Sequence, residues 1–224
     1  MNEYFLEIAK SNDLKDITTD IVETVLDNSI QDEILKAFPV TKTIFAFKNI
    51  YNSISDRLFI KKAMIVLLQL GEIDEEKRSA FISELEDDYC KGSEKLLLAI
   101  EKLENYEKCK VFGKLCKLRA TGRIESYMFS SLTKVIQDAE IWGLYNIKNL
   151  EKDKNNDVWV GDYNNLIILN LAFQEHTEQV PIRRNEQYEY DDPEFAGGEI
   201  EFYITLTSTG KVLHDIYDDL FEED

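Results

Sequence analysis

Apolar positions over the first two thirds of the chain recur at steps of three and four, the helical period. Leu14, Ile17, Ile21 and Val25 follow the candidate caps Ser11, Asn12 and Asp13. Ser29 opens a short segment carrying Ile30, Ile34 and Leu35, which Pro39 ends. Val40, Ile44, Phe47, Ile50 and Ile54 repeat the spacing. Asp56 is the expected cap of a helix from Arg57 to Leu70, with Gly71 placed to close it in the left-handed conformation. Asp74, followed by Glu75 and Glu76 where a helix dipole favours acids, starts a helix with Phe81, Ile82 and Leu85 inward. Ser93 opens a stretch through Leu96, Leu97, Ile100 and Leu103 that continues, with a break, to Leu118 before Gly122. A last helix from Arg123 to Leu150 turns Ile124, Tyr127, Met128, Leu132, Val135, Ile136, Ala139 and Trp142 to one face.

The period changes after Leu150. Residues 151–157 are polar and turn-forming and mark a boundary. Asp162 is the expected cap of a helix from Tyr163 to Phe173. Residues favouring strands follow at 180–184 and 187–190, then the turn 191–198. Residues 199–205 alternate strictly, Ile200, Phe202 and Ile204 on one face and Glu199, Glu201 and Tyr203 on the other. Thr207 or Ser208 caps a closing helix through Val212, Leu213, Ile216, Leu220 and Phe221. The fold class expected is α+β, predominantly α: an all-helical region over 1–150 and a small domain with a β-hairpin over 158–224.

The second part resembles a winged-helix domain. The residues that carry the likeness are the helix-exit segment 165–173 and the run from Phe202 to Leu213, Phe-Tyr-Ile-Thr-Leu-Thr-Ser-Thr-Gly-Lys-Val-Leu. That run is similar to the hydrophobic-x-Leu-Thr-x-x-Gly-x-x-Leu phrase that follows the wing in many such proteins. The whole arrangement is also similar to uncharacterised bacterial and phage-borne proteins carried near mobile elements. The resemblance implies an architecture and a setting, and no mechanism. One departure bears on function. The segment 162–173, in the place of a recognition helix, holds no Lys or Arg, and the wing offers Arg183 and Arg184 against seven acids between Glu186 and Glu201. Reading DNA needs cations at the phosphates, so this module is not expected to bind it.

Composition narrows the field further. The chain has 224 residues, enough for one large domain or two small ones, and is 44% hydrophobic, too apolar for intrinsic disorder. Three Cys imply no disulfide framework and fit a reducing compartment. The first ten residues lack the basic and apolar regions of a signal peptide. The most apolar run, Ala63 to Leu70, is far shorter than the roughly 20 residues a membrane span requires. Lys36, Lys42, Lys48, Arg57, Lys61 and Lys62 lie along an amphipathic stretch, as an interfacial helix would show, but ordinary core packing is the expected reading. A cytoplasmic location is expected, without membrane contact.

The formal charge is −18, and it is uneven: residues 1–124 hold 19 basic against 22 acidic side chains, residues 125–224 hold 7 against 22. Two charge features stand out. Lys108, Lys110, Lys114, Lys117, Arg119 and Arg123 form a stretch with no acid among them. It reads as an anion site, as a dock for the acidic tail of this same chain, or as a solvated helix face whose cations favour a C-terminal end. The other feature is acidic: Asp191, Asp192, Glu194, Glu199 and Glu201, interleaved with Tyr188, Tyr190 and Phe195. Rings supply buried area and carboxylates steer, which suits capture of a basic protein surface.

Catalytic chemistry is sparse. His176 and His214 are the only histidines, each among acids and without a nucleophile beside it, and two isolated histidines do not make a metal site. Cys109 and Cys116 lie two helical turns apart, too far for one disulfide, and read as small buried hydrophobes; the neighbouring lysines would activate either thiol only if it were exposed. No phosphate loop, G-x-S-x-G or H-E-x-x-H occurs, and the pairs 87–88 and 191–192 read as solvated acids. The sequence therefore points to a non-catalytic binding or regulatory protein with no cofactor. Its expected partner is a protein with a basic surface, and an inhibitor or immunity-type role is the sharper form. The alternatives are a nucleic-acid-binding regulator acting through 108–123, which the net charge disfavours, and an enzyme of a type the motifs do not reveal.

Overall fold

The structure, a computed structural model, describes residues 2–11, 14, 54–87, 92–176 and 202–222. The expected helices between Ile17 and Ile50 lie outside these residues, as do the expected strands and turn between 180 and 198. Two compact units divide the chain: residues 1–138 with 218–224, and residues 139–217. The described residues are mostly helical, with one small antiparallel sheet. No described helix is long and apolar enough to cross a membrane.

The first unit contains α1 (Asn2–Lys10), α2 (Ile54–Gly71), α3 (Glu75–Asp87), α4 (Gly92–Lys102), α5 (Tyr106–Ala120) and α6 (Ser126–Asp138). Helix α1 was not marked by the spacing read from the sequence, yet it buries Phe5, Leu6, Ile8 and Ala9. The apolar run in α2 is core as expected, with Ala63, Met64, Val66, Leu67 and Leu70 buried. Asp56 lies within helix α2 and is not its cap.

Helix α5 is the hub, packing on α2, α3 and α6. Its start is fixed by Asn105, whose side chain accepts the Lys108 amide at 2.8 Å, and this cap is the break expected after Leu103. Its end is a Schellman turn: Gly122 sits at φ 74° and donates to the Arg119 carbonyl, while Arg123 donates to that of Leu118. The left-handed closing glycine is thus Gly122; Gly71 is the last residue of α2 and is not left-handed. Helices α2 and α5 cross at Gly113, where a Cβ would lie 2.8 Å from that of Gln69 and 3.3 Å from the Val66 Cα. A buried Arg78 ties α3 to its neighbours, donating to the carbonyls of Ile73 (3.2 Å) and Ser11 (2.7 Å).

In the second unit the expected helix from Arg123 to Leu150 is broken. It ends as α6 at Asp138, and Ile141–Asn149 is a 3₁₀ helix. The reason is legible in the side chains: Ile141, Leu144, Ile147 and Leu150 are buried at a spacing of three, while Trp142, Tyr145 and Lys148 face outward. A spacing of three fits three residues per turn and drifts off the face of an α-helix. A second 3₁₀ turn (Val160–Tyr163) leads into the short helix α7 (Asn164–Ile168), which approaches the first at Gly143. Asp162 lies within that turn and does not cap α7.

Helix α7 stops well short of Phe173. Asn170 takes φ 55°, donating to the Ile167 carbonyl while Leu171 donates to that of Leu166, a second Schellman closure. The chain then extends as β1 (Ala172–His176), antiparallel to β2 (Phe202–Leu206), with Ala172 opposite Leu206 and His176 opposite Phe202. Ala172, Ile204 and Leu206 form the buried face. Asn156 is buried beside β2: it exchanges both backbone hydrogen bonds with Ile204, and its side chain binds the Glu151 amide and the carbonyls of Glu151, Lys154 and Ile204. The polar segment 151–157 is therefore stitched into the second unit, whose division from the first falls at Ala139. Helix α8 (Ser208–Phe221) begins as expected, Thr207 Oγ1 accepting the Gly210 amide at 3.1 Å.

Candidate functional site

The acidic and aromatic residues expected to bind a partner, Tyr188, Tyr190, Asp191, Asp192, Glu194, Phe195, Glu199 and Glu201, lie outside the described residues. What is described is the ribbon from which they follow in sequence, with His176 and Phe202 paired at its open end. The 25 residues between them carry eight acids and two arginines. The second unit as a whole holds 6 basic against 15 acidic residues, a net of −9.

Its described cations are used internally. Lys211 donates to Asp153 at 2.8 Å, Lys152 pairs with Asp215, Lys154 pairs with Glu151, and Lys148 stands 5.8 Å over the Tyr217 ring. The hydrogen bond from Lys211 holds the Asp153 carboxyl below its ordinary range.

The same unit exposes large apolar groups. Of ten exposed large hydrophobic side chains among the described residues, six are here: Trp142, Tyr145, Trp159, Ile168, Phe173 and Phe202. Trp159 is 78% exposed and Ile168 80%. The backbone around Trp159 is tied in place. Its carbonyl accepts the Asp162 amide at 3.1 Å, and the Asp162 carbonyl accepts from Asn146 Nδ2 at 2.7 Å. Its indole lies over Gly161, where a Cβ would come within 2.5 Å of Nε1. The sequence pattern placed Trp142 on a buried helix face and gave Trp159 no role. The three-residue spacing of Ile141, Leu144 and Ile147 was the available signal that Trp142 turns outward.

The basic stretch 108–123 spreads its six cations over the first unit. Lys108 is buried, with Nζ on Glu104 (3.0 Å) and the Gln137 carbonyl (2.9 Å). Lys114 is buried with Nζ 2.6 Å from the Glu222 carbonyl, and Arg123 pairs with Asp219 at 2.6 Å. Two of the six thus hold the C-terminal end of this chain. Lys117 meets Glu72 at 2.6 Å, Arg119 binds Glu84 and Ser126, and Lys110 is exposed. Lys108 and Lys114 are the departure from a solvated face, because each long stem crosses the core to a carbonyl.

Both described cysteines are buried, as read from the sequence. Burial pushes the Cys109 thiol up to about 11, outweighing the nearby Lys62, and its Sγ donates to the Asn105 carbonyl. Burial raises Cys116 further. The neighbouring lysines do not activate either thiol. His176 is exposed, and His214 is half-buried with Nδ1 4.0 Å from Asp215. Among the described residues no group of three His, Cys, Asp or Glu side chains is placed to hold a metal. Set against known proteins, the chain matches no family model, no curated protein and no solved structure.

Proposed function

We propose that this is a non-catalytic binding protein whose second unit, a winged-helix-like module in its order of helix, strand, connection, strand and helix, engages a protein partner with a basic surface. The observation that carries the reading is the exposed set Trp142, Trp159 and Ile168 in a unit of net charge −9. Tryptophans are enriched among the side chains that carry most of the binding energy at interfaces, and both tryptophans of the chain are exposed on this unit. The internal pairing of Lys152, Lys154 and Lys211 leaves twelve acids against three cations in this unit, and eight of those acids fall within 177–201. An inhibitor or immunity-type action, masking a basic surface, is the sharper form of this proposal.

The test is capture of partners from nuclease-treated bacterial lysate at low and moderate salt, by the tagged chain and two variants. Wild type should retain a stoichiometric basic protein that salt releases. Trp159→Ala should weaken capture at least about ten-fold, since truncating an interface anchor costs on the order of 2 kcal/mol. The triple change of Asp191, Asp192 and Glu194 to Lys should abolish it. Capture that neither variant alters would refute the assignment.

A further inference from the structure

The first unit contains a cleft of about 810 Å³ walled by α3, α4, α5 and α6. It lies in a different unit from the surface just discussed and stands independently of that reading. Its floor is aromatic. Phe129 packs edge-on against Phe81 at 6.2 Å between centroids and tilted against Phe112 at 6.1 Å. Phe81 and Phe112 are buried, whereas Phe129 is half-buried and offers the cleft a ring face or edge. Leu96 and Ala99 of α4 extend this apolar lining.

The rim is polar and sorts by charge. Arg119, Lys95 and Lys102 line the cleft together with a single carboxylate, Glu84. That carboxylate is already committed: it accepts from Arg119 Nη2 and from Ser126 Oγ (3.1 Å), and Ser126 Oγ accepts from the same Nη2 at 2.7 Å. Lys95 and Lys102 have no acid partner among the described residues. They lie seven positions apart on α4, two helical turns and roughly 10.5 Å along one face. The lining is thus positive by two charges in a chain of −18. The hydroxyls of Ser130 and Thr133 donate back to the carbonyls of Ser126 (3.1 Å) and Phe129 (2.7 Å).

A cleft of this size, apolar below with a few polar groups at its edge, has the make-up of a small-molecule site. The charge imbalance selects the sign of the ligand. We propose that this cleft binds a small amphipathic anion, with its alkyl or aromatic body on Phe129 and Leu96 and its carboxylate or phosphate head at Lys95 and Lys102. Arg119 borders the head with Nε and Nη1, since its described contacts use Nη2.

Titration calorimetry on the full chain tests this with decanoate, decyl phosphate, neutral decanol and decyltrimethylammonium at one ionic strength. Saturable one-to-one binding is expected for the anions, weaker for decanol and weakest for the cation; the tighter anion identifies the head group. Lys95→Gln with Lys102→Gln should weaken the anions about five-fold and leave decanol unchanged, as expected for two exposed ion pairs. Ser130→Trp, placing an indole in the cleft from an exposed position, should abolish binding of all four, with far-UV circular dichroism unchanged. The proposal is overturned if no anion binds saturably, if the cation binds as well as the anions, or if folded Ser130→Trp binds as wild type does.

Discussion

Gly210→Ala tests the packing of the second unit because two physical effects on it have opposite signs. Gly210 lies in the first turn of α8, where replacing Gly by Ala gains at most about 1 kcal/mol of helix propensity. A Cβ there would lie 1.9 Å from the Leu171 carbonyl oxygen and 3.3 Å from Leu206 Cδ2. An ordinary carbon–oxygen contact is about 3.3 Å, so helix and carbonyl must separate by roughly 1.4 Å. That carbonyl accepts the Thr207 amide at 3.0 Å and shares the Thr207 hydroxyl at 3.2 Å, and both bonds would stretch beyond range. Each bond contributes about 1 kcal/mol, and overpacking adds about 1–3 kcal/mol. Offset by propensity, the net cost is about 2–4 kcal/mol, or roughly 4–16 °C in Tm for a chain of this size. Both tryptophans of the protein, Trp142 and Trp159, belong to the second unit, so urea unfolding followed by their fluorescence reports that unit. The midpoint should fall. A midpoint equal to or above wild type would refute the close-approach argument.

Three further outcomes are expected. Gly122→Ala should cost about 1 kcal/mol without any clash, because φ is 74° and the space around it is open; a denaturation midpoint at or above the wild-type value would contradict the left-handed closure. Cys109 and Cys116 should resist iodoacetamide in the native state at pH 8 and react fully in denaturant, as peptide mass mapping would show; fast native labelling of either would contradict its burial. The Asp153 carboxyl should titrate below an ordinary aspartate by NMR and return to that range in Lys211→Gln. Because its folded pKa is depressed, its contribution to stability is present above the unfolded value and disappears as pH falls through the folded one. An unshifted Asp153 in the wild type would remove the pairing.

Local signals in the sequence carried much of the secondary structure. Residues such as Leu96 and Ile100, or Leu132, Val135 and Ile136, meet the core because a helix returns a side chain to the same face every three or four positions. Asp74 and Thr207 mark helix starts because backbone amides at a helix N-terminus need acceptors or negative charge nearby. The inward face of β2 followed from alternation only in part: Ile204 is buried and Tyr203 and Thr205 are half-buried, but Phe202, on the face of Ile204, is exposed.

Other features depended on residues distant in sequence. The apolar run from Leu166 to Phe173 suits a helix or a strand equally, and Asn170 in the left-handed region, with Leu171 bound to Thr207, resolves it as both in succession. The run 108–123 shows six cations, but the chain fold alone buries Lys108 and Lys114 against carbonyls 29 and 108 positions away. The cleft proposed to bind anions is assembled from four helices, and its sign comes from Lys95 and Lys102, left over because Arg119, from another helix, takes the single carboxylate Glu84. Periodicity and caps are properties of neighbouring residues and can be read along the chain. Which charges neutralise each other, and which faces stay exposed, depend on long-range contacts that only the tertiary structure decides.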